Sequence, residues 1–204
     1  MVNEFDSKAR EWDKNQIHIE RSEAIARAFL KAIPLKRKLK ALEFGAGTGL
    51  LSFLLKDKFS GIVLMDNSAE MINVIRGKIK GQNIRHMKPV LINLEHEDYA
   101  GEFEIIYNQM VFHHVDDIET ILRKFHNMLV PGGFLVIADL YHEDGSFHGE
   151  GFTGHKGFDV DWLSGCIRDA GFTNISHQQC YAIKKTSETG QVKEYPVFLI
   201  TASR

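Results

Sequence analysis

The sequence of 204 residues predicts an α/β fold: a doubly wound, mostly parallel sheet with helices on both faces. Three observations predict it. From Lys40 onward, short apolar runs alternate with segments of helical periodicity. A loop with glycine at every second position, Gly45, Gly47 and Gly49, joins the first apolar run to a helix. The runs end in polar residues, Glu43, Asp66, Asn93, Asn108 and Asp139, and in such a sheet these gather along one crevice beyond the strand carboxyl ends.

The elements follow in order. Within residues 1–35, Ile25, Phe29 and Ala32/Ile33 recur at helical spacing, and Pro34 ends the pattern. Residues 39–44 read as a buried strand, 50–58 as a helix and 61–66 as a second strand. Ser68 caps a helix with Met71, Ile72, Ile75 and Ile79 on one face, and Gly81 ends it. Strands are expected at 89–94 and 103–108. Asp116 or Asp117 caps the most regular helix, whose apolar positions are Ile118, Ile121, Leu122, Phe125, Met128 and Leu129. Pro131-Gly132-Gly133 breaks it ahead of a fifth strand at 134–139. A glycine- and histidine-rich loop covers 142–157. A helix with Val160, Leu163, Ile167 and Ala170 on one face follows, closed by Gly171. Residues 175–184 and 195–202, joined by a polar turn at 185–193, read as a terminal antiparallel hairpin. The expected organisation is one domain, 1–204, with a helical segment at 1–35 ahead of a core at 36–204.

Composition excludes several classes. Charged residues make up 25% and hydrophobic residues 44%, which are ordinary globular values. The net charge of −2 supplies no field to recruit nucleic acid or an anionic membrane. The basic run Lys36-Arg37-Lys38 with Lys40 reads as a solvated connection before a buried strand. Two cysteines, Cys166 and Cys180, are too few for a disulfide framework or a zinc-ribbon pattern. The start, Met1-Val2-Asn3-Glu4-Phe5-Asp6, lacks the basic and apolar regions of a signal peptide. No apolar run approaches the roughly twenty residues of a membrane span. A cytoplasmic protein without a membrane segment is expected.

Asp66 follows the glycine loop by about twenty residues. This spacing suits a ribose-bearing cofactor, because an ionised carboxylate accepts both ribose hydroxyls. A dinucleotide site would carry Gly-x-Gly-x-x-Gly; here the spacing is Gly-x-Gly-x-Gly and position 50 is Leu. The ordered set Glu43-Phe44-Gly45-Ala46-Gly47-Thr48-Gly49, Asp66, Asn93-Leu94, Pro131-Gly132-Gly133 and Ala170-Gly171-Phe172 resembles the class I S-adenosylmethionine-dependent methyltransferases of small-molecule type. The likeness covers about residues 40–204. It implies a Rossmann-like, seven-stranded sheet with an antiparallel last strand, S-adenosyl-L-methionine as cofactor, and methyl transfer to a small-molecule acceptor.

The resemblance also implies site residues. Asp66 would take the ribose. Gly45, Ala46 and Gly47 would lie against the cofactor, with Gly49 serving helix packing. Glu43 would organise the loop or reach the methionine ammonium through water. Asn67 and Met71 would flank the adenine, Asn93 would accept from its amino group, and Leu94 would supply a backbone amide and an apolar wall. Asn108 is placed near the methionine portion. Phe5-Asp6-Ser7-Lys8-Ala9 and Trp12-Asp13 resemble a lid segment, in which Trp12 covers the cofactor or packs within a helix.

Methyl transfer is an in-line displacement that depends mainly on alignment, and a base is needed only if the nucleophile arrives protonated. His113 and His114, after the fourth strand, are the catalytic candidates, with a structural role as the alternative. His142, His148 and His155 stand in a loop that resembles a substrate-facing one. Together with Glu143 and Asp144 they match no zinc spacing, and no metal is expected. Residues 108–111 read Asn-Gln-Met-Val rather than an Asn-Pro-Pro-Tyr type motif, which argues against a nucleic acid substrate but leaves a small tRNA-directed enzyme open. Two rivals remain. An NAD(P)-dependent oxidoreductase is disfavoured by Leu50 and by the closing hairpin; a non-catalytic S-adenosylmethionine-binding protein is the other. The acceptor, the methylated atom and the oligomeric state are not written in these motifs.

Overall fold

The computed structural model describes residues 5–35, 37–186 and 190–204. Residues 1–4, Lys36 of the basic run and 187–189 of the expected terminal turn lie outside the described residues. The strands are β1 (Leu39–Phe44), β2 (Phe59–Asp66), β3 (Met87–Leu91), β4 (Phe103–Gln109), β5 (Leu129–Leu140), β6 (Thr173–Thr186) and β7 (Val192–Ser203). The α-helices are α1 (Gln16–Ala32), α2 (Leu50–Leu55), α3 (Ala69–Gly81), α4 (Ile118–Met128) and α5 (Val160–Asp169). The seven strands form one sheet in the order β3-β2-β1-β4-β5-β7-β6. Strand β7 is antiparallel to both of its neighbours, and the other pairs are parallel.

Both faces of the sheet are covered, which is why the central strands read as continuous apolar runs instead of alternating ones. Ala41, Leu64, Ile105 and Tyr107 face a core shared with Ile25 and Phe29 of α1, Leu51 and Leu55 of α2, and Ile72 and Ile75 of α3. Leu42, Ile106 and Ile137 face the opposite core, shared with Ile121, Leu122 and Phe125 of α4 and Leu163 and Ile167 of α5. The two helix caps expected at Ser68 and Asp117 form. Ser68 Oγ accepts the Met71 amide at 3.2 Å and Asp117 Oδ1 accepts the Thr120 amide at 2.9 Å.

Several boundaries differ from expectation: α2 stops at Leu55, and β6 and β7 extend into the expected turn. Strand β3 starts at Met87 and stops at Leu91, because Asn93 folds the chain into a turn: its side chain accepts the Glu95 amide at 3.1 Å and its carbonyl accepts the amides of His96 and Glu97. Strand β2 begins two residues early, at Phe59. The break at 131–133 is a bulge inside β5. Phe103 pairs with Leu129 while Ile105 pairs with Phe134, and Gly132 takes φ +77° in the excess chain.

The chain leaves β1 for β2 and β3 on one side, then crosses back to β4 and β5 on the other. This reversal opens a crevice beyond the carboxyl ends of β1 and β4. Short 3₁₀ turns at Asp6–Lys8 and Trp12–Lys14, ahead of α1, lie across that end of the sheet. No helix among the described residues is long and apolar enough to cross a membrane.

Candidate active site

A cavity of about 370 Å³ occupies the crevice, within the usual size range of small-ligand sites. One half lies over β1 and β2. There the glycine loop requires its glycines for two different reasons. Gly45 and Gly47 hold φ of +62° and +55°, where side chains are strained. In addition, a Cβ on Gly45 would sit 2.4 Å from Val111, so only hydrogen fits where β1 and the segment after β4 approach each other. A Cβ on Gly47 would meet nothing within 4 Å; that side of the loop is open to the cavity.

Asp66 is half-buried at the end of β2 and lines the same half. Its Oδ2 accepts the Gly47 amide at 2.7 Å and its Oδ1 accepts the Ser68 amide at 2.8 Å. Each carboxylate oxygen has a second lone pair, so the group can still accept two donors. Loss of water pushes its pKa up to about 6, while those amides stabilise the charge. Asn67, Met71, Asn93, Leu94, Ala46 and Trp12 complete this half. The Asn93 side-chain oxygen, Oδ1, already takes the Glu95 amide. Trp12 packs on His18 with ring centroids 4.2 Å apart.

The other half lies beyond β4, β5 and β6. His113 is buried and reaches the cavity wall from the 3₁₀ turn Phe112–His114. Its Nδ1 hydrogen-bonds Asp139 Oδ1 at 2.6 Å. Asp139 is fully buried near the end of β5 and also accepts the amides of Leu140 and His113, at 2.7 and 3.3 Å. Burial works against its charge, but His113 and these bonds outweigh it and leave the pKa below the ordinary carboxylate value. The contact fixes the imidazole so that Nε2 is left to accept a proton. Met110, two residues before this turn, is held at φ +54° and lines the cavity; a side-chain-bearing residue there costs on the order of 1–2 kcal/mol.

His114 and His148 close on His113, with ring centroids 4.3 and 4.9 Å from it. One nitrogen from each of the three lies within 4.8 Å of the others. Burial, the His113 imidazole and Lys8 bring His114 down to about 4. Burial, both other histidines and Lys185 do the same to His148. These two rings are therefore neutral and weakly basic at neutral pH. The charges of Lys8, Lys185 and Arg21 around the cluster oppose a divalent cation there, and we assign no metal.

Of the residues expected at the site, four are not on this wall. Glu43 is fully buried behind the loop, where Ser52 Oγ donates to its Oε2; Ser52 also lies 2.6 Å from the Tyr107 hydroxyl. Burial raises Glu43 to about 8. It is thus neutral at pH 7, and the loop-organising alternative fits it better than an ammonium contact. Asn108 points away from the cavity, because successive strand residues face opposite sides. Gln109 reaches the wall in its place and leaves a buried Oε1 without a hydrogen-bond partner. His142 is exposed, off the wall. His155 is turned back to anchor the 142–157 loop: its amide donates to the His113 carbonyl at 2.8 Å and its Nε2 lies 3.1 Å from the Val115 carbonyl. From that loop Phe147, His148 and Phe152 do overhang the cavity.

Gln109, Arg21 and Lys185 are wall residues that escaped the sequence reading. Arg21 stands four and eight residues before Ile25 and Phe29 on the buried stripe of α1, and a charge within an apolar stripe was the legible signal. Lys185 lies near the end of β6, in what reads as a turn. Asp139 was visible as a polar strand end, but its pairing with His113, 26 residues away, carried no local signal.

Residues 17–177 match the family described as methyltransferase domain. The chain belongs to the methyltransferase domain family. It is 28% identical over 156 residues to an uncharacterised methyltransferase of Schizosaccharomyces pombe, covering 68% of this chain and 55% of that protein. It is 26% identical over 153 residues to phosphoethanolamine N-methyltransferase 1 of Arabidopsis thaliana, covering 72% of this chain and 31% of that one. The chain thus spans about half the length of the yeast relative and about a third of the plant enzyme. Its fold matches that of the N-methyltransferase NodS from Bradyrhizobium japonicum, solved with S-adenosyl-L-homocysteine, at a TM-score of 0.70 and 18% identity, over 94% of this chain and 89% of that one.

The residues of this methyltransferase fit the cofactor of its family. The floor offers an anionic acceptor at Asp66 for a diol, and the loop leaves open space over Gly47. The orphaned Gln109 Oε1 offers an acceptor for an ammonium group.

Proposed function

We propose that this chain transfers a methyl group from S-adenosyl-L-methionine to a small-molecule acceptor, with the cofactor over β1 and β2 and the acceptor beyond β4 and β5. The observation that carries the reading is one continuous cavity joining Asp66 and the glycine loop to the His113–Asp139 pair. S-adenosylmethionine, when bound, supplies an electrophilic methyl on a sulfonium. Asp66 would hold the ribose hydroxyls, Gly45, Ala46 and Gly47 the face of the loop, Asn67, Met71, Asn93 and Leu94 the adenine side, and Gln109 the amino group. His113 would take a proton at Nε2 from the acceptor's nucleophilic atom, and Asp139 would stabilise the imidazolium that results. His114 and His148, with their lowered pKa values, serve as walls and hydrogen-bond acceptors rather than as bases.

Residues 5–32 act as a lid in this reading. Asp6 accepts from Ser68 Oγ at 2.6 Å, and Asp13 accepts from Thr48 Oγ1 at 2.5 Å and pairs with Lys78 at 2.8 Å. Both contacts tie the segment to the loop and helix of the cofactor half, so the lid would exclude water from the reacting centre. The enclosed volume favours a small molecule over a nucleic acid. Two free cysteines suit a reducing compartment such as the cytoplasm.

Calorimetric titration with S-adenosylmethionine and S-adenosylhomocysteine tests the reading. Both should bind to the wild type, and Asp66→Ala should weaken them by about 2–4 kcal/mol through loss of charge-assisted bonds. An unchanged affinity in Asp66→Ala would remove the ribose role. Absence of binding to the wild type would remove the function.

A further inference from the structure

The acceptor half of the cavity has a feature that proton transfer does not use. Arg21 projects from α1 into its wall and is 6% exposed. No hydrogen bond or ion pair reaches its guanidinium from the described residues, and its Nε is buried without a partner. A charge taken out of water and left unpaired is costly, and a guanidinium has five donors in a planar fork. Asp139, whose charge reaches the guanidinium through space, makes no hydrogen bond to it; its oxygens are engaged by His113 and the Leu140 amide.

Lys185 lines the same end from β6. Its Nζ donates to the Phe147 carbonyl at 2.5 Å and sits 3.8 Å from the Phe147 ring centre. This places the ammonium under the 142–157 loop. Burial lowers its pKa; the Glu143 carboxylate opposes this and the charge of Arg21 adds to it. The acids on the cavity wall are Asp66 and Glu95, at the ends of β2 and β3. On the wall itself Arg21 and Lys185 stand at the acceptor end and both acids at the cofactor end, while Asp139 and Glu143 act on the two cations from beyond the wall.

We infer that the acceptor carries an anionic oxygen group, a carboxylate or a phosphate monoester, which Arg21 grips with Lys185 beside it while its nucleophilic atom faces His113. This rests on the methyltransferase reading and adds the acceptor's chemical class. The planar fork suits two parallel bonds to either group. Anchoring at this end would set the nucleophile's distance from the reacting methyl, which is where alignment is decided.

The test uses the full chain saturated with S-adenosylhomocysteine, titrated calorimetrically with methyl phosphate and with acetate as probes. The wild type should bind at least one, and the preferred probe distinguishes a phosphate monoester from a carboxylate. Arg21→Gln should weaken that binding roughly 10- to 100-fold, Arg21→Lys should retain part of it, and S-adenosylhomocysteine affinity should hold in both. Where Arg21→Gln does not fold, Lys185→Gln takes its place and should weaken the probe several-fold. Equal probe affinity in wild type and variants, or no probe binding to a wild type that binds S-adenosylhomocysteine, overturns the inference and leaves the methyltransferase reading standing. Failure to bind S-adenosylhomocysteine itself strikes the underlying reading.

Discussion

His113 illustrates how much one contact decides. An imidazole that donates from Nδ1 to a buried carboxylate must present Nε2 to the cavity. Asp139→Asn keeps the shape but offers an amide that donates as well as accepts, so the ring loses its fixed tautomer. With an acceptor in hand, kcat should fall about 10²-fold or more while S-adenosylhomocysteine affinity stays at the wild-type value. Parallel loss of kcat and cofactor affinity would instead make the pair a structural strut. His114→Gln, by contrast, should change kcat by less than about tenfold, because a ring with its pKa near 4 is a poor base at neutral pH. Of these residues, His113 and His114 were readable as candidates from their place after a strand. The choice between them was not, since it depends on which ring meets Asp139.

At the scale of elements, the segment before α1 and the 142–157 loop close the cavity from opposite sides. The proposed lid is tied to the cofactor half through Asp6 and Asp13. The Asp13–Lys78 pair has side chains 35% and 22% exposed, so with the Thr48 bond it contributes about 1 kcal/mol. Asp13→Ala should therefore speed S-adenosylhomocysteine release about fivefold, measured by stopped-flow fluorescence of Trp12 with little change in the thermal midpoint. Release at the wild-type rate would mean that these residues do not gate the site. The 142–157 loop is tied down more firmly. Glu143 Oε2 accepts the amides of Gly145 and Phe147 at 2.9 and 3.0 Å, and Asp144 pairs with Lys193. A Cβ on Gly154 would fall 2.2 Å from the His113 carbonyl. The glycines and acids that made this stretch read as a flexible, substrate-facing loop are thus the residues that shape it. All three of its histidines were expected at the substrate from the loop's resemblance to a substrate-facing one; His148 reaches the cavity wall, and His142 and His155 do not.

At the scale of the molecule, the buried Glu43–Ser52–Tyr107 group beneath the glycine loop makes stability depend on pH. The folded pKa of Glu43, raised by burial to about 8 from 4.5, means that the native state keeps a proton the unfolded chain has released. Between these two values stability should fall as pH rises, with a limiting slope of about 1.4 kcal/mol per pH unit from this group. Glu43→Gln removes the titration, and its urea midpoint should vary less between pH 5 and pH 8 than the wild type's. Identical pH profiles would show that Glu43 is ionised in the fold.

The alternation of apolar runs and helical stripes was enough to establish the doubly wound sheet, because strands covered on both faces must be apolar throughout and helices packed on one side must not be. The glycine spacing with Asp66 was enough to bring out the loop and carboxylate that line one half of the cavity. Backbone conformation and a strand-end carboxylate are local properties, carried by residues within about twenty positions of each other. The rest of the cavity was decided by tertiary structure alone. His113 meets Asp139 across 26 residues, Gln109 replaces Asn108 through the phase of a pleat, and Arg21 and Lys185 converge from a helix and a strand 164 positions apart. Electrostatics acts through space, so charges far apart in the chain share one small cavity only once the sheet has brought its strand ends together.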